Sequence, residues 1–302
     1  MSSSTSNSKR FFIGFSVVLM VGSLFFVLGS EFIVRTTVMP NSTFDALRER
    51  LHTGHSAYGV FADSRGANGI RSQKDFENFS MAGDNLATIV AKAQFFVEKE
   101  TTKGILIQAD PHHFSSYRLN RNQTSLRDDL FKRVNPWLQF LRPVYRQYLL
   151  EYWKSFFLSK LERKKSVAST HGIDRLSEQP PAQAAINASI RLGLQTPLKE
   201  IERTHFARLY AEAINMFHQD GIDVCLVSFP VSAAYRKAAA AEPSYGHAKL
   251  YYENLAKQAG VKYLELSAAL DDTYFSDPDH LNGDGAQALT ETVLQKCFGL
   301  RR

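Results

Sequence analysis

Asp277-Pro278-Asp279-His280-Leu281-Asn282-Gly283-Asp284-Gly285-Ala286 is the stretch on which the reading of this chain turns. A carboxylate three residues ahead of a histidine, followed by an Asn/Gly/Asp/Gly turn that opens an apolar-periodic helix, presents an imidazole at the mouth of a sheet with an acid beside it. An imidazole so placed needs a nucleophile. Far upstream, Ala62-Asp63-Ser64-Arg65-Gly66 follows the strand-like run Ser56-Ala57-Tyr58-Gly59-Val60-Phe61, so Ser64 sits at a strand-to-helix turn. A serine hydroxyl attacks well only when a base removes its proton, and the base works best when a carboxylate fixes its tautomer. The expectation is that the two distant pieces meet, with Ser64 as nucleophile, His280 as base and Asp277 as the orienting acid. Asp279 is a rival for the acid, but its adjacency to His280 gives it the poorer reach; its other reading is a carboxylate favoured at a helix N-terminus.

The chain between these pieces has the rhythm of a parallel sheet with crossover helices. Phe76 to Met81 is a short strand candidate ending at Ala82-Gly83-Asp84-Asn85, Leu86 to Glu98 is helix-periodic, and Gly104 to Asp110 is an apolar run of strand length. Later come a strand over Ile222 to Phe229, a helix over Tyr245 to Gly260, a last strand over Val261 to Leu266 and a helix from about Gly285 to Cys297. The pattern predicts an α/β fold. More than a hundred residues separate Asp110 from Ile222, far more than a crossover requires, so an insertion is expected over about 114–198. Its first half, Pro136 to Lys165, carries Trp137 and Trp153 and an apolar stripe of Tyr145, Tyr148, Leu149, Tyr152, Trp153, Phe156 and Phe157 with basic residues interleaved. Such a stripe suits a membrane surface or a partner, and equally suits packing onto the protein. Ser166 to Pro197 reads as a long loop or lid, and Leu198 to Asp220 as an amphipathic helix.

The N-terminus sets the compartment. Lys9-Arg10 precedes the almost wholly apolar Phe11 to Leu28, a run long enough to cross a bilayer. The basic pair predicts a cytoplasmic tail over 1–10, a single-pass anchor in the cytoplasmic membrane over 11–30, a stalk over 31–55 and an extracytoplasmic domain over 56–302. A cleaved signal peptide is the rival; Leu28-Gly29-Ser30 is a poor cleavage site for one. The composition, 44% hydrophobic and 22% charged with a net charge of +6, excludes a disordered chain and attracts anionic surfaces. Basic composition is the only argument for nucleic acid, and the anchor removes the domain from most of it. No zinc spacing or phosphate-binding loop occurs, so neither a metal nor a cofactor is expected. Cys225 and Cys297 read most simply as buried small hydrophobes, with a disulfide as the other reading in an oxidising compartment.

The developing negative charge on an attacked carbonyl requires hydrogen-bond donors. The backbone N–H groups of Ser64 and Gly83 are the candidates, with Asn85 or Asn78 as side-chain donors. At these residues the chain resembles the SGNH (GDSL-like) hydrolase superfamily. The matches are Ala62-Asp63-Ser64, Gly83 and Asp277-x-x-His280, in order and spanning about residues 56 to 300. The resemblance implies a three-layer, flavodoxin-like fold and a serine esterase or acyl-transfer mechanism. The chain departs from it at Ala62, at Arg65, and at Ala109-Asp110-Pro111-His112-His113, which stands where the family has Gly-x-Asn-Asp; His112 or His113 is the expected substitute donor to substrate. The anchor and the ending Tyr274 to Asn282 resemble the extracytoplasmic SGNH-like proteins that accompany membrane-bound O-acyltransferases, of the alginate O-acetylation and D-alanyl transfer types. That likeness implies acyl transfer, commonly of acetyl, onto or off a cell-surface polysaccharide, with a membrane-bound O-acyltransferase as partner. The alternative is a non-catalytic glycan-binding or scaffolding subunit of such a complex.

Overall fold

The computed structural model describes residues 4–121, 123–131, 138–159 and 176–300. In chain order, α1 (Ser4–Ile33) is followed by α2 (Thr43–Thr53), β1 (Tyr58–Phe61), α3 (Ser64–Gly69), β2 (Phe76–Asn78), α4 (Leu86–Val97) and β3 (Gly104–Gln108). The long interval after β3 holds α5 (Ser116–Leu119), α6 (Thr124–Phe131), α7 (Pro143–Ser159) and α8 (Pro181–Gln195). Then come α9 (His205–Gln219), β4 (Asp223–Ser228), α10 (Ala233–Ala240), α11 (Pro243–Ala259) and β5 (Lys262–Glu265). The short antiparallel pair β6 (Phe275–Asp277) and β7 (His280–Leu281) leads into α12 (Gly283–Phe298). The chain divides into two compact units, Met1–Glu49 with Thr124–Ala168, and Arg50–Gln123 with Ser169–Arg302.

The larger unit is a three-layer α/β fold. Its sheet has the order β2-β1-β3-β4-β5 with every pairing parallel. A parallel sheet covered on both faces needs strands apolar throughout, and β3 is buried at every residue. Successive side chains on β1 serve opposite layers. Val60 joins Leu106, Cys225 and Val227 against Leu289, Val293 and Cys297 of α12, whereas the Phe61 ring meets Phe79 and, on α4, Phe96. The strand order is flavodoxin-like, and it reverses between β1 and β3. The crevice beyond the carboxyl ends of those two strands is where such sheets hold their ligands. Ser64 follows β1 there.

Cys225 on β4 and Cys297 on α12 are joined as a disulfide across 72 residues. Burial of both sulfurs is as expected, but the reading as two free thiols gives way: strand and helix cross closely enough, Cα to Cα 5.6 Å, for the bond to form.

α8 corrects the reading of 166–197 as loop or lid. Its Ser/Ala/Gln/Pro composition hides a helical register, with Pro181 in the first turn, Ala188 and Leu192 buried four residues apart, and a terminal Gln195 also buried. Residues 160–175 lie outside the described residues. The amphipathic helix read from Leu198 begins only at His205, where the Thr204 side chain accepts from the Ala207 N–H and fixes the N-terminus.

The smaller unit contains one helix long and apolar enough to cross a membrane, Phe11–Asn41 as it continues beyond α1. The stretch read as a stalk is largely helical: after Pro40-Asn41-Ser42, the Ser42 hydroxyl caps the Asp45 N–H and α2 begins. Packing settles part of the aromatic stripe. Tyr145 and Leu149 of α7 are buried with Val34, and Trp153 stacks on Phe26 with ring centroids 5.6 Å apart. Tyr148, Tyr152 and Phe156, one face further round, are exposed. Trp137 lies outside the described residues.

Candidate active site

α3 starts in the turn after β1, and Asp63 is its N-cap, its carboxylate accepting from the Arg65 N–H at 2.9 Å. Ser64 is therefore the first helical residue, with its own N–H among those that a helix leaves unpaired. At the other end of the chain, β6 and β7 form a hairpin in which Asp277 faces His280. One Asp277 oxygen accepts from the Asp279 and His280 N–H groups at 3.0 and 2.9 Å and locks the turn. Its other oxygen lies 2.7 Å from His280 Nδ1. His280 Nε2 lies 2.9 Å from Ser64 Oγ. With Nδ1 donating to the acid, Nε2 carries the lone pair that accepts the hydroxyl proton, the arrangement that generates a serine nucleophile.

Asp279 is the poorer acid by geometry, 3.7 Å from Nδ1. Its carboxylate is occupied: it accepts from Arg191 Nε at 2.9 Å, Gln195 Nε2 at 2.9 Å and Arg65. Burial alone would raise its pKa, but Arg65, His280 and Arg191 hold it well below the usual carboxylate range. Arg65 in turn bridges to Asp110 and is buried with it. This buried network fixes the floor of the site, and it explains why an arginine stands after Ser64.

The other expected site residues divide. Gly83 lines the cleft with Ser64 and His280, in a left-handed turn with φ of +86° that favours glycine. Asn85 is not an oxyanion donor. Its Oδ1 caps α4 at the Thr88 N–H, and its Nδ2 donates to the Arg121 carbonyl at 2.9 Å. Asn78 is likewise spent on the Gly66 and Ile70 carbonyls. His112 and His113 do not meet substrate either, being fully buried with their rings stacked. His112 Nε2 is 2.8 Å from Asp63, which Arg118 also contacts. Burial, aided by the Arg65 charge at His112 and by His112 at His113, lowers both imidazole pKa values, so both rings are neutral.

Among the described residues, two groups have ligand atoms clustered closely enough for a metal ion, Asp63 with His112 and His113, and Asp277 with Asp279 and His280. In the first, the Asp63 carboxylate already holds Arg118, whose guanidinium would repel a cation. In the second, all three side chains are engaged as just described. Neither donor set fits a metal.

Sequence reading missed Tyr117, Arg118, Arg121, Arg191, Leu194 and Gln195, which complete a cleft of about 380 Å³ over Ser64. All six come from the insertion, where no motif marks them.

The environment of His280 sets a pH dependence. Burial works against protonation, but the hydrogen bond to Asp277 and the charges of Asp279 and Asp277 outweigh it and raise the imidazole pKa. General-base action needs the neutral ring, so kcat/KM for a neutral ester is expected to rise with pH along a limb centred above about 6.5, the ordinary histidine value. A limb at or below that value would contradict the assignment. The same raised pKa stabilises the fold below about pH 6.5, a contribution lost as pH rises through the folded-state value.

No protein-family model and no curated protein matches the chain. A solved structure from Streptococcus pneumonia, described as a platelet activating factor, aligns with 94% of this chain and 99% of its own at 12% identity and a TM-score of 0.44. At that distance the likeness leaves function to the site.

Proposed function

We propose that the chain is a serine esterase or acyltransferase of the SGNH type that forms an acyl-enzyme on Ser64. The observation that carries this is the continuous hydrogen-bonded line from Asp277 through His280 to Ser64 Oγ, at 2.7 and 2.9 Å, opening into a cleft. As Ser64 Oγ bonds to the acyl carbon, its proton passes to His280 Nε2. The carbonyl π pair moves to oxygen and returns as the leaving group departs with that proton. Water or a hydroxyl then enters, gives its proton to His280 and bonds to the acyl carbon; as the Ser64 Oγ–carbon bond breaks, His280 returns that proton to Oγ.

The acceptor we infer is a cell-surface polysaccharide, with acetyl as the acyl group and a membrane-bound O-acyltransferase as partner. Three features support the extracytoplasmic setting: the long apolar N-terminal helix, the basic pair Lys9-Arg10 before it, and the Cys225–Cys297 bond, which suits an oxidising compartment. The test is hydrolysis of p-nitrophenyl acetate and labelling by a fluorophosphonate, followed by acetyl transfer from the same ester to an added polysaccharide. Wild type is expected to hydrolyse and to label. Glycan binding without hydrolysis or labelling would overturn the enzyme reading in favour of a glycan-binding subunit.

A further inference from the structure

The two backbone donors proposed for the oxyanion, the N–H groups of Ser64 and Gly83, have no acceptor within the described residues. The asparagines beside them are committed elsewhere. What lies against Gly83 is Arg121. A Cβ placed on Gly83 would sit 2.6 Å from Arg121 Nη1, 2.8 Å from Nη2 and 2.9 Å from Cζ, so the guanidinium occupies the space that any other side chain would claim. The left-handed φ favours glycine here, and its missing Cβ is what lets the guanidinium come so close.

The cleft is lined by three arginines, and only one has an uncommitted charge. Arg118 is buried on Asp63 and donates to the Asp84 carbonyl at 3.1 Å. Arg191 donates to Asp279. The Arg121 side chain is exposed, with no hydrogen bond or ion pair within the described residues. Its backbone is nonetheless fixed: the carbonyl accepts from Asn85 Nδ2, and the N–H donates to the Arg118 carbonyl at 3.3 Å. Gln123, two residues on, donates to the Gly83 carbonyl and accepts from the Asn85 N–H, both at 2.9 Å. The segment bearing Arg121 and the turn bearing Gly83 are thus strapped together. The chain that carries this cation is thereby anchored beside two free N–H groups, where the negative charge of an oxyanion would develop.

We propose that Arg121 is a catalytic residue: its guanidinium joins the Ser64 and Gly83 N–H groups in binding the oxyanion of the tetrahedral intermediate. This rests on the acyl-enzyme reading above. As the Ser64–carbon bond forms, the carbonyl π pair becomes an oxygen-centred charge that Arg121 meets with N–H donors. When the pair returns and the leaving group departs, the guanidinium is released unchanged.

The test compares wild type, Arg121→Ala and Arg121→Lys on p-nitrophenyl acetate and on the rate of fluorophosphonate labelling. Loss of one oxyanion donor lowers kcat by about 10²- to 10³-fold. Arg121→Ala is therefore expected to lose that factor in kcat with KM little changed, to label correspondingly slowly, and to regain rate when free guanidinium is added. Arg121→Lys should fall between. The thermal midpoint should be unmoved, because the side chain is exposed and makes no bond within the described residues, so misfolding cannot account for the loss. Activity of Arg121→Ala within about threefold of wild type overturns the proposal while leaving Ser64 chemistry intact, and so does a loss confined to KM, which would make Arg121 a substrate-binding cation. A wild type that neither hydrolyses nor labels removes the acyl-enzyme reading and this inference with it.

Discussion

His280→Ala is expected to lower kcat/KM for an activated ester by about 10⁴- to 10⁶-fold, and Ser64→Ala to lower it as far. The double variant should be no worse than either single one, because nucleophile and base act as a unit. The geometry gives the reason. With Nε2 2.9 Å from Ser64 Oγ, the imidazole is the group placed to take the hydroxyl proton. Without it, Oγ must lose that proton to water at a pKa far above working pH. Asp277→Asn should cost about 10⁴-fold, since an amide donor in place of the acceptor 2.7 Å from Nδ1 would favour the tautomer with its proton on Nε2. Steady-state kinetics over a range of ester concentrations check all four variants. If His280→Ala kept more than a tenth of wild-type activity, the base would be another group.

The second large effect is on stability. Asp63→Ala is expected to destabilise the fold by about 3–5 kcal/mol, the usual result of breaking a buried charge pair from one side. The Asp63 side chain is fully buried and holds Arg118, His112 Nε2 at 2.8 Å and the Arg65 N–H at 2.9 Å. Alanine would leave the Arg118 guanidinium, itself only 4% exposed, without its carboxylate and would uncap α3. Asp63→Asn keeps a capping oxygen and should lose less. The pH dependence has a definite sign. Burial would raise the Asp63 pKa, yet the hydrogen bond to His112 and the charge of Arg118 hold it well below the ordinary value. Its contribution is therefore full above about pH 3.9 and lost as pH falls through the folded-state value. Denaturant titrations at pH 7 and at about pH 2 measure both; an Asp63→Ala midpoint equal to wild type at pH 7 would contradict the account.

Much of the architecture was legible because it depends on local pattern. Gly104 to Gln108 is apolar at four of its five residues and could only be a buried strand, and Asp277 reaches His280 across a single turn. Ser64 was found through its position after a strand. The rest was hidden because it depends on pairs remote in sequence. Nothing near Asp279 announces that Arg65, 214 residues away, and Gln195, 84 residues away, will claim its carboxylate. The family pattern itself misled at His112-His113, where a neutral imidazole is a reasonable donor by chemistry but is fully buried in the fold. Asn85 misled in the same way: its residue type suits an oxyanion donor, and helix capping took it instead. Arg121 could not have been picked out of Arg118-Leu119-Asn120-Arg121, because only its approach to Gly83 distinguishes it.

The claim on which the account rests is that Ser64 is the residue acylated. Peptide mass mapping of the wild-type protein after reaction with a fluorophosphonate tests this most directly. The adduct is predicted on the peptide containing Ser64, and it should be absent from Ser64→Ala. An adduct on another residue, or equal labelling of Ser64→Ala, would contradict the account.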